Sequence, residues 1–491
     1  MSVDFDVPET WPESQVERRS ASEPASLPES ESASRPRDAP GPTPAAPVPP
    51  ASAAPALAAA ASPSWSLAHR IAFRFVFCYL LLYNLPFPLY LLPIPGLGAV
   101  FTAYFKLWDA VVLWTGAHVL HLAHPIEILR GKTGSGDTTY DYVKILCFAA
   151  FAALATLAWT LAMLGRGKAR EHRRLHEWLR IYVRYALGTI LLSYGMSKVI
   201  KLQFPFPSQD RLLEPVGEAS PMGLLWTFMG VSTPYTFFAG AMEVLGGVLL
   251  FFRRTVTLGA LVTVTVMTNV FMLNMCYDVP VKQYSLHLLL MAVFLLVPDL
   301  GRLANVLLLN RPAEPASLAP PWSARWARLA GLGLCVLYLG YLLFTEVQSG
   351  LQMASQMGPD ATSKPPIYGS YEVEEFVRNG RTVPPLLTDA SRWRRLTALY
   401  PQLLSVRGMD DTQHRYRPEY APAQHSVALS LFEGKGRQGA FTYAFPDKDH
   451  VVLQGTLLAD TLTVKLRRLD SRQFRLVSRG FHWVSEFPFN R

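Results

Sequence analysis

The sequence predicts an all-helical membrane bundle of about seven spans, followed by a small antiparallel β-barrel. Three observations carry this. Half of the 491 residues are hydrophobic and only 17% are charged. The apolar residues gather into runs of about twenty, near the length a helix needs to cross the hydrocarbon of a bilayer. The last third of the chain loses those runs and takes up a two-residue alternation typical of half-buried strands.

Four regions follow from composition. Residues 1–64 hold 13 of the 39 prolines, with nine acids against four bases. Such a stretch buries too little surface to offset the entropy of ordering, so a disordered tail is expected. It lacks the short apolar core of a signal peptide. Residues 65–345 form the predicted membrane domain, with spans at about 71–92, 141–164, 180–200, 234–252, 255–275, 283–300 and 326–345. The first is the weakest, because Arg74, Pro86 and Pro88 interrupt it. A linker is expected over 346–366 and a β domain over 367–491.

Residues 99–120 are also apolar, but Lys106, Asp109 and His118 break the run. Val100, Tyr104, Leu107, Val111 and Trp114 recur at helical spacing, so a helix lying on the membrane surface is expected. His118, His121 and His124 end that helix, and this reading makes them an interfacial helix end rather than metal or haem ligands.

The charge of +9 resides mostly between residues 65 and 345. Basic loops flanking spans explain this better than a nucleic-acid groove, so nucleic acid is set aside as a partner and the lipid bilayer takes its place. The most basic short loop is 165–180. Arg253 and Arg254, then Arg302, Arg311, Arg325 and Arg328, fall on its side if there are seven spans. That side is expected to be cytoplasmic together with the N-terminus. The β domain is then periplasmic, in the inner membrane of a bacterium. The four cysteines form no CxxC pair and no zinc spacing, so no metal site is expected.

In the tail, Val427, Leu429 and Leu431 alternate with Ala428 and Ser430. Phe441, Tyr443 and Phe445 do the same, as do Leu462, Val464 and Leu466. Turn compositions at 433–438, 446–449 and 470–473 separate them. Further strands are expected near 368–378 and 474–485, giving seven or eight.

Several residues carry a resemblance. Tyr194-Gly-Met-Ser-Lys198 is followed by Glu243-Val-Leu-Gly-Gly247, Arg253-Arg-Thr255 and Asp278-Val-Pro-Val-Lys282. Through these, residues 180–302 resemble the DoxX-like family of four-helix membrane proteins. That family is associated with quinone-linked redox complexes, including a subunit of thiosulfate:quinone oxidoreductase. The resemblance therefore implies a subunit or accessory of a quinone-linked redox system, with quinone as a cofactor and a redox protein as a partner. The bundle also looks like the membrane part of vitamin K-dependent carboxylase relatives, but their catalytic motifs cannot be placed here. Gly369-Ser-Tyr-Glu-Val-Glu-Glu-Phe376 and Leu453-Gln-Gly-Thr456 resemble small bacterial lipocalin-like domains. They imply an alternative: a membrane-anchored binding or assembly protein whose outer barrel holds a lipophilic ligand or a partner.

Ionisable groups inside spans are costly and mark candidate sites. Lys198, Glu243, Asn269, Asp278, Lys282 and His287 all fall in the outer half of the bundle on this reading. They suit a ligand or quinone site, with a Glu–Lys pair able to hold a proton and His287 able to bond a quinone carbonyl. Interhelical polar glue is the competing reading. A second candidate is the loop Gly134–Tyr142, where Asp137, Thr138, Tyr140 and Asp141 cluster oxygens. There the simpler reading is a turn and helix cap. No catalytic residue is assigned.

Overall fold

The computed structural model describes residues 65–91, 94–129, 133–164, 172–316, 324–357, 364–432 and 436–487. The N-terminal tail and residues 165–171 of the basic 165–180 loop, both expected on the cytoplasmic side, lie outside them; from Arg173 on, that loop is the start of a helix.

The bundle opens with α1 (Leu67–Asn84), α2 (Leu97–His118), α3 (Thr139–Leu164) and α4 (Arg173–Val199). A single turn, α5 (Gln209–Leu212), and α6 (Pro221–Val231) precede α7 (Thr233–Phe251), α8 (Val256–Cys276) and α9 (Lys282–Leu296). The short α10 (Leu300–Leu307) leads to α11 (Arg325–Met357). Seven helices among the described residues are long and apolar enough to cross a membrane: α1, α2, α3, α7, α8, α9 and α11.

Membership of that set differs from the expectation in two places. The span expected at 180–200 is α4, a 27-residue helix beginning at Arg173. With Arg173, Arg174, Glu177, Arg180, Arg184 and Lys198 it is too polar to qualify alone. It is instead the enclosed helix of the bundle, burying Leu179, Val183, Leu187, Leu191 and Leu192 against its neighbours. Conversely, α2, expected to lie flat, has the length and apolarity of a span. Its Asp109 accepts a hydrogen bond from the Tyr140 hydroxyl at 2.7 Å, which softens the polar interruption. Trp108 packs edge-on against Phe148 and Phe151 of α3.

Arg74, the weak point of the first span, is buried and satisfied. Its Nε donates to His172 Nε2 at 3.2 Å and its Nη1 to Thr160 Oγ1 at 2.7 Å, while Trp159 lies 5.6 Å beneath it. Two of its donors are thereby met by acceptors and its face by a ring, which lowers the cost of burying it.

Two glycine pairs bring α4 and α7 into backbone contact. A Cβ on Gly240 would stand 2.6 Å from the Gly195 carbonyl oxygen and 2.7 Å from Lys198 Cβ. Two turns along, a Cβ on Gly247 would meet the Gly188 oxygen at 3.0 Å. Small residues at such spacing let membrane helices approach closely, where dispersion and weak polar contacts hold them.

The expected linker is in part helical, because α11 runs to Met357, past position 346; residues 358–363 lie outside the described set. The β domain then runs β1 (Gly369–Arg378), β2 (Arg381–Thr382), β3 (Trp393–Tyr400), β4 (Leu403–Gly408) and β5 (Gln413–Ala421). It continues through β6 (Ser426–Leu431), β7 (Arg437–Ala444), β8 (His450–Leu457) and β9 (Asp460–Arg468). Neighbours pair antiparallel in chain order from β3 to β9. β1 pairs with both β3 and β9, closing a barrel of eight strands, with β2 folded back on β1. Tyr371 faces Arg468 and Phe376 faces Val464 in the closing register. The alternation holds in the interior: Val427, Leu429, Phe441, Tyr443, Leu462, Val464 and Leu466 are buried. It fails at strand ends, where Leu431 and Phe445 are exposed. The strand expected at 474–485 is absent; a helical turn, α12 (Arg475–Ser478), stands there, because closure through β1 leaves no free edge to extend.

Barrel and bundle meet through α5. Gln209 Nε2 donates to the Leu469 carbonyl at 3.0 Å, and the Thr397 hydroxyl donates to Asp210. Burial at this junction raises the Asp210 carboxyl above its ordinary range, against the opposing pull of Thr397, Arg407 and Arg395.

The glycine contact between α4 and α7 gives a direct expectation. Gly240→Ala should lower the thermal midpoint of detergent-solubilised protein by the equivalent of about 1–3 kcal/mol, as overpacking usually does. Gly98→Ala, in α2 with nothing within 4 Å of the added carbon, should be neutral. Equal midpoints for wild type and Gly240→Ala would show that the two helices have room to spare.

Candidate functional site

The α4 C-terminus, the α7 N-terminus and the barrel share one end of the bundle. There the first candidate cluster divides into separate parts. Lys198 Nζ and Glu243 Oε2 form an ion pair at 2.8 Å, with side chains 8% and 3% exposed. The glycine contact permits this pair, since it draws the helix axes close enough for a direct bridge. Lys198 Nζ also lies 3.5 Å from the Tyr194 carbonyl and 5.8 Å from the centre of the Tyr194 ring. Glu243 is therefore met from α4 as its depth in the sequence suggested. Asn269 is not part of the cluster: it is exposed on α8. The neighbouring Asn274 is the buried amide, donating to Ser285 Oγ at 3.0 Å.

His287 is held on three sides. Its Nδ1 faces the Gln283 carbonyl at 2.6 Å, its Nε2 faces the Tyr79 hydroxyl at 2.6 Å, and its ring stacks on Tyr83 at 4.2 Å and 6°. A carbonyl only accepts, so Nδ1 carries the proton and Nε2 accepts from tyrosine. Both nitrogens are thus engaged within the protein.

Asp278 and Lys282 bond to each other at 2.7 Å on the turn between α8 and α9. The second candidate loop docks on this same turn. Asp137, with its side chain only 7% exposed, accepts from the backbone nitrogens of Lys282 at 2.6 Å and Gln283 at 3.1 Å. A carboxylate there satisfies two otherwise unpaired amides and complements the positive end of the α9 dipole. Gly136 N donates to the Pro280 carbonyl at 2.8 Å, and Gln283 Nε2 returns a bond to the Gly136 carbonyl at 2.8 Å. Thr138 and Asp141 cap α3 reciprocally: Thr138 N reaches Asp141 Oδ2 at 3.2 Å and Asp141 N reaches Thr138 Oγ1 at 3.3 Å. The cap reading of this loop is the one the geometry supports.

Between α1, α3, α4 and α9, with the 134–136 loop at its rim, lies a cavity of about 540 Å³. Tyr83, Tyr194 and Tyr284 line it, with Phe87, Phe148 and Ile190 on its apolar side. Asn84, Asp141, Lys144 and Gln283 supply polar groups. The ion pair lies behind Tyr194 and His287 lies behind Tyr83, so both back the cavity walls without lining it. Gln283 Oε1 is buried and has no hydrogen-bond donor among the described residues. Because Gln283 Nε2 is fixed by a carbonyl, the amide orientation is set and this oxygen is an acceptor without a donor.

Sequence reasoning missed the tyrosines, Asn84, Lys144 and Gln283. Tyrosine within an apolar run reads as core, and the one signal was position. Tyr194 and Tyr284 stand beside the very lysines, Lys198 and Lys282, that were singled out.

No family model matches the chain, and no solved structure matches it. Over 139 residues it is 34% identical to the uncharacterized protein YwoB of Bacillus subtilis (strain 168), a stretch that makes up 28% of this chain and 86% of that protein. At that identity, and with most of the relative's length covered, the chain belongs to the family of YwoB.

Proposed function

We propose that this protein is a DoxX-like inner-membrane subunit or accessory of a quinone-linked redox system, and that the tyrosine-lined cavity holds the quinone. The observation that carries the reading is the cavity walled by Tyr83, Tyr194 and Tyr284 and bordered by Gln283, whose Oε1 has no donor among the described residues. A quinone headgroup needs flat aromatic faces and donors for its carbonyls, and its reduced form brings hydroxyls that need an acceptor. Tyrosine rings and hydroxyls meet the first two needs and Gln283 meets the third. Ile145, Phe148 and Ile190 offer an apolar side for an isoprenoid tail. A partner redox protein supplies or takes the electron pair, and the aqueous face exchanges the accompanying protons.

Orientation supports the same reading. Arg180, Arg184, Arg253 and Arg302 gather at the end of the bundle opposite the barrel, a bias that supports a cytoplasmic position for that end and a periplasmic one for the cavity and barrel. α1 ends and α3 begins at the barrel end, so the chain enters and leaves α2 on one side; we place α2 along the outer surface. The alternative, a barrel that holds a lipophilic ligand or partner, has less support. Phe376, Trp393, Phe441 and Tyr371 fill the barrel interior and leave a recess of about 430 Å³ near Tyr368 and Arg468.

Three outcomes test these points. Protein purified in mild detergent should yield quinone on solvent extraction, and Tyr284→Ala should retain at least about tenfold less, the loss expected for one stacking and hydrogen-bonding partner. Wild-type protein free of quinone would refute the assignment. Alkaline phosphatase fused after Arg491 should be active and a fluorescent protein there should stay dark; the reverse would invert the orientation. Glu243→Leu should destabilise the protein by about 3–5 kcal/mol, because it strands buried Lys198. Glu243→Gln, whose amide oxygen still accepts from Lys198, should cost less, and adding Lys198→Met to Glu243→Leu should recover most of the loss. Equal destabilisation in the single leucine and the double variant would argue against a coupled pair.

A further inference from the structure

At the end of the bundle opposite the barrel, a cavity of about 290 Å³ opens between α4, the turn joining α7 to α8, the C-terminal end of α9, and α10. Four guanidinium groups reach it: Arg180 and Arg184 from α4, Arg253 from the turn and Arg302 from α10. Two carboxylates, Glu177 and Asp299, stand against them. Asp299 is fully engaged. It accepts from Thr257 Oγ1 at 2.8 Å and from Arg302 Nη1 at 2.5 Å, and Arg180 Nη2 lies 3.8 Å away. Arg302 is further tied to the Glu314 carbonyl at 2.8 Å and Arg180 faces the Leu295 carbonyl at 3.4 Å.

Arg184 differs. It is only 7% exposed, its guanidinium lies 5.0 Å from the centre of the Tyr185 ring, and its Nε has no acceptor among the described residues. A buried N–H without an acceptor is unfavourable, and an anion entering among the four guanidiniums would supply acceptor oxygens and offset their excess charge. The entering group needs several acceptor oxygens, because donors converge on it from separate elements. Phosphate supplies them, and arginine forks match its geometry. Val256, Leu295 and Pro298 border the charged floor, so one flank of the cavity is apolar.

We propose that this cavity binds a phosphate group, with Arg184 as its anchoring donor. The phosphate comes either from a lipid headgroup, whose glycerol would lie on the apolar flank, or from free phosphate on the same face. The site is distinct from the tyrosine-lined cavity and does not depend on a quinone being bound there.

The test uses the full chain in a detergent with an uncharged, phosphate-free headgroup. In one arm inorganic phosphate is titrated at constant ionic strength set with chloride, and binding is read from the thermal midpoint and by phosphorus NMR. In the other arm phosphatidylglycerol is added and retained lipid is counted by native mass spectrometry. Wild-type protein should show saturable binding in at least one arm. Phosphate alone identifies the free ion as the source, and retained lipid without a phosphate effect identifies the headgroup. Arg184→Gln should weaken the positive arm by about tenfold or more, the loss of one charge-assisted contact. Arg184→Lys, which keeps the charge but not the planar fork, should fall between the two. Absence of saturable binding by wild type in both arms overturns the proposal whatever the variants do. Wild-type affinity in either folded Arg184 variant overturns the role of Arg184.

Discussion

The structure depends on enclosing one helix. α4 carries arginines at its start and Lys198 at its end, and a helix of that polarity cannot present those groups to hydrocarbon. It is stable in the bundle because α1, α7, α9 and α11 surround it and bring partners to its charges. Glycine on both α4 and α7 is the means of enclosure. Gly195 against Gly240 and Gly188 against Gly247 remove the side-chain layer that would otherwise separate the backbones. The Lys198–Glu243 bridge then spans a gap small enough to close directly. A buried pair of this kind contributes little net stability compared with apolar packing, but it fixes which helix face meets which.

The two ends of the enclosed helix have different chemistry. At the barrel end, charges are neutralised internally: lysine by glutamate, the α9 amides by Asp137, and the His287 ring by a carbonyl and a tyrosine. What remains open there is aromatic and weakly polar. At the opposite end arginines outnumber carboxylates, and Asp299 is shared between two of them. One bundle therefore offers an aromatic cavity at one end and a cationic cavity at the other, with the charge asymmetry that orients membrane proteins running between them.

The barrel is a separate solution to a separate problem. Closure of β1 on β9 removes the edges, and large side chains of the barrel's own strands fill the interior. Its connection to the bundle is local, through Gln209 and Asp210 of α5. The Thr397–Asp210 contact is half-buried and polar, which suits a junction that sets the position of the barrel without merging the two cores.

Run length and alternation determined the classes of the elements. Six of the expected spans follow from apolar runs of about twenty residues, and the barrel strands from two-residue alternation, which decides the face a strand can bury. Placement along the spans also made Lys198 the partner expected for Glu243, since both fall in the outer half of the bundle. Neither run length nor alternation could reveal that α4 is enclosed by its neighbours, or that Asn269 is exposed away from the site. Those depend on rotation about the helix axis relative to neighbours, which one helix's sequence does not contain. The cavity was likewise invisible: Tyr83, Tyr194 and Tyr284 come from three helices, and each alone reads as packing. Only the tertiary structure decided that they face a common space, because a cavity is the volume that four packed helices fail to fill.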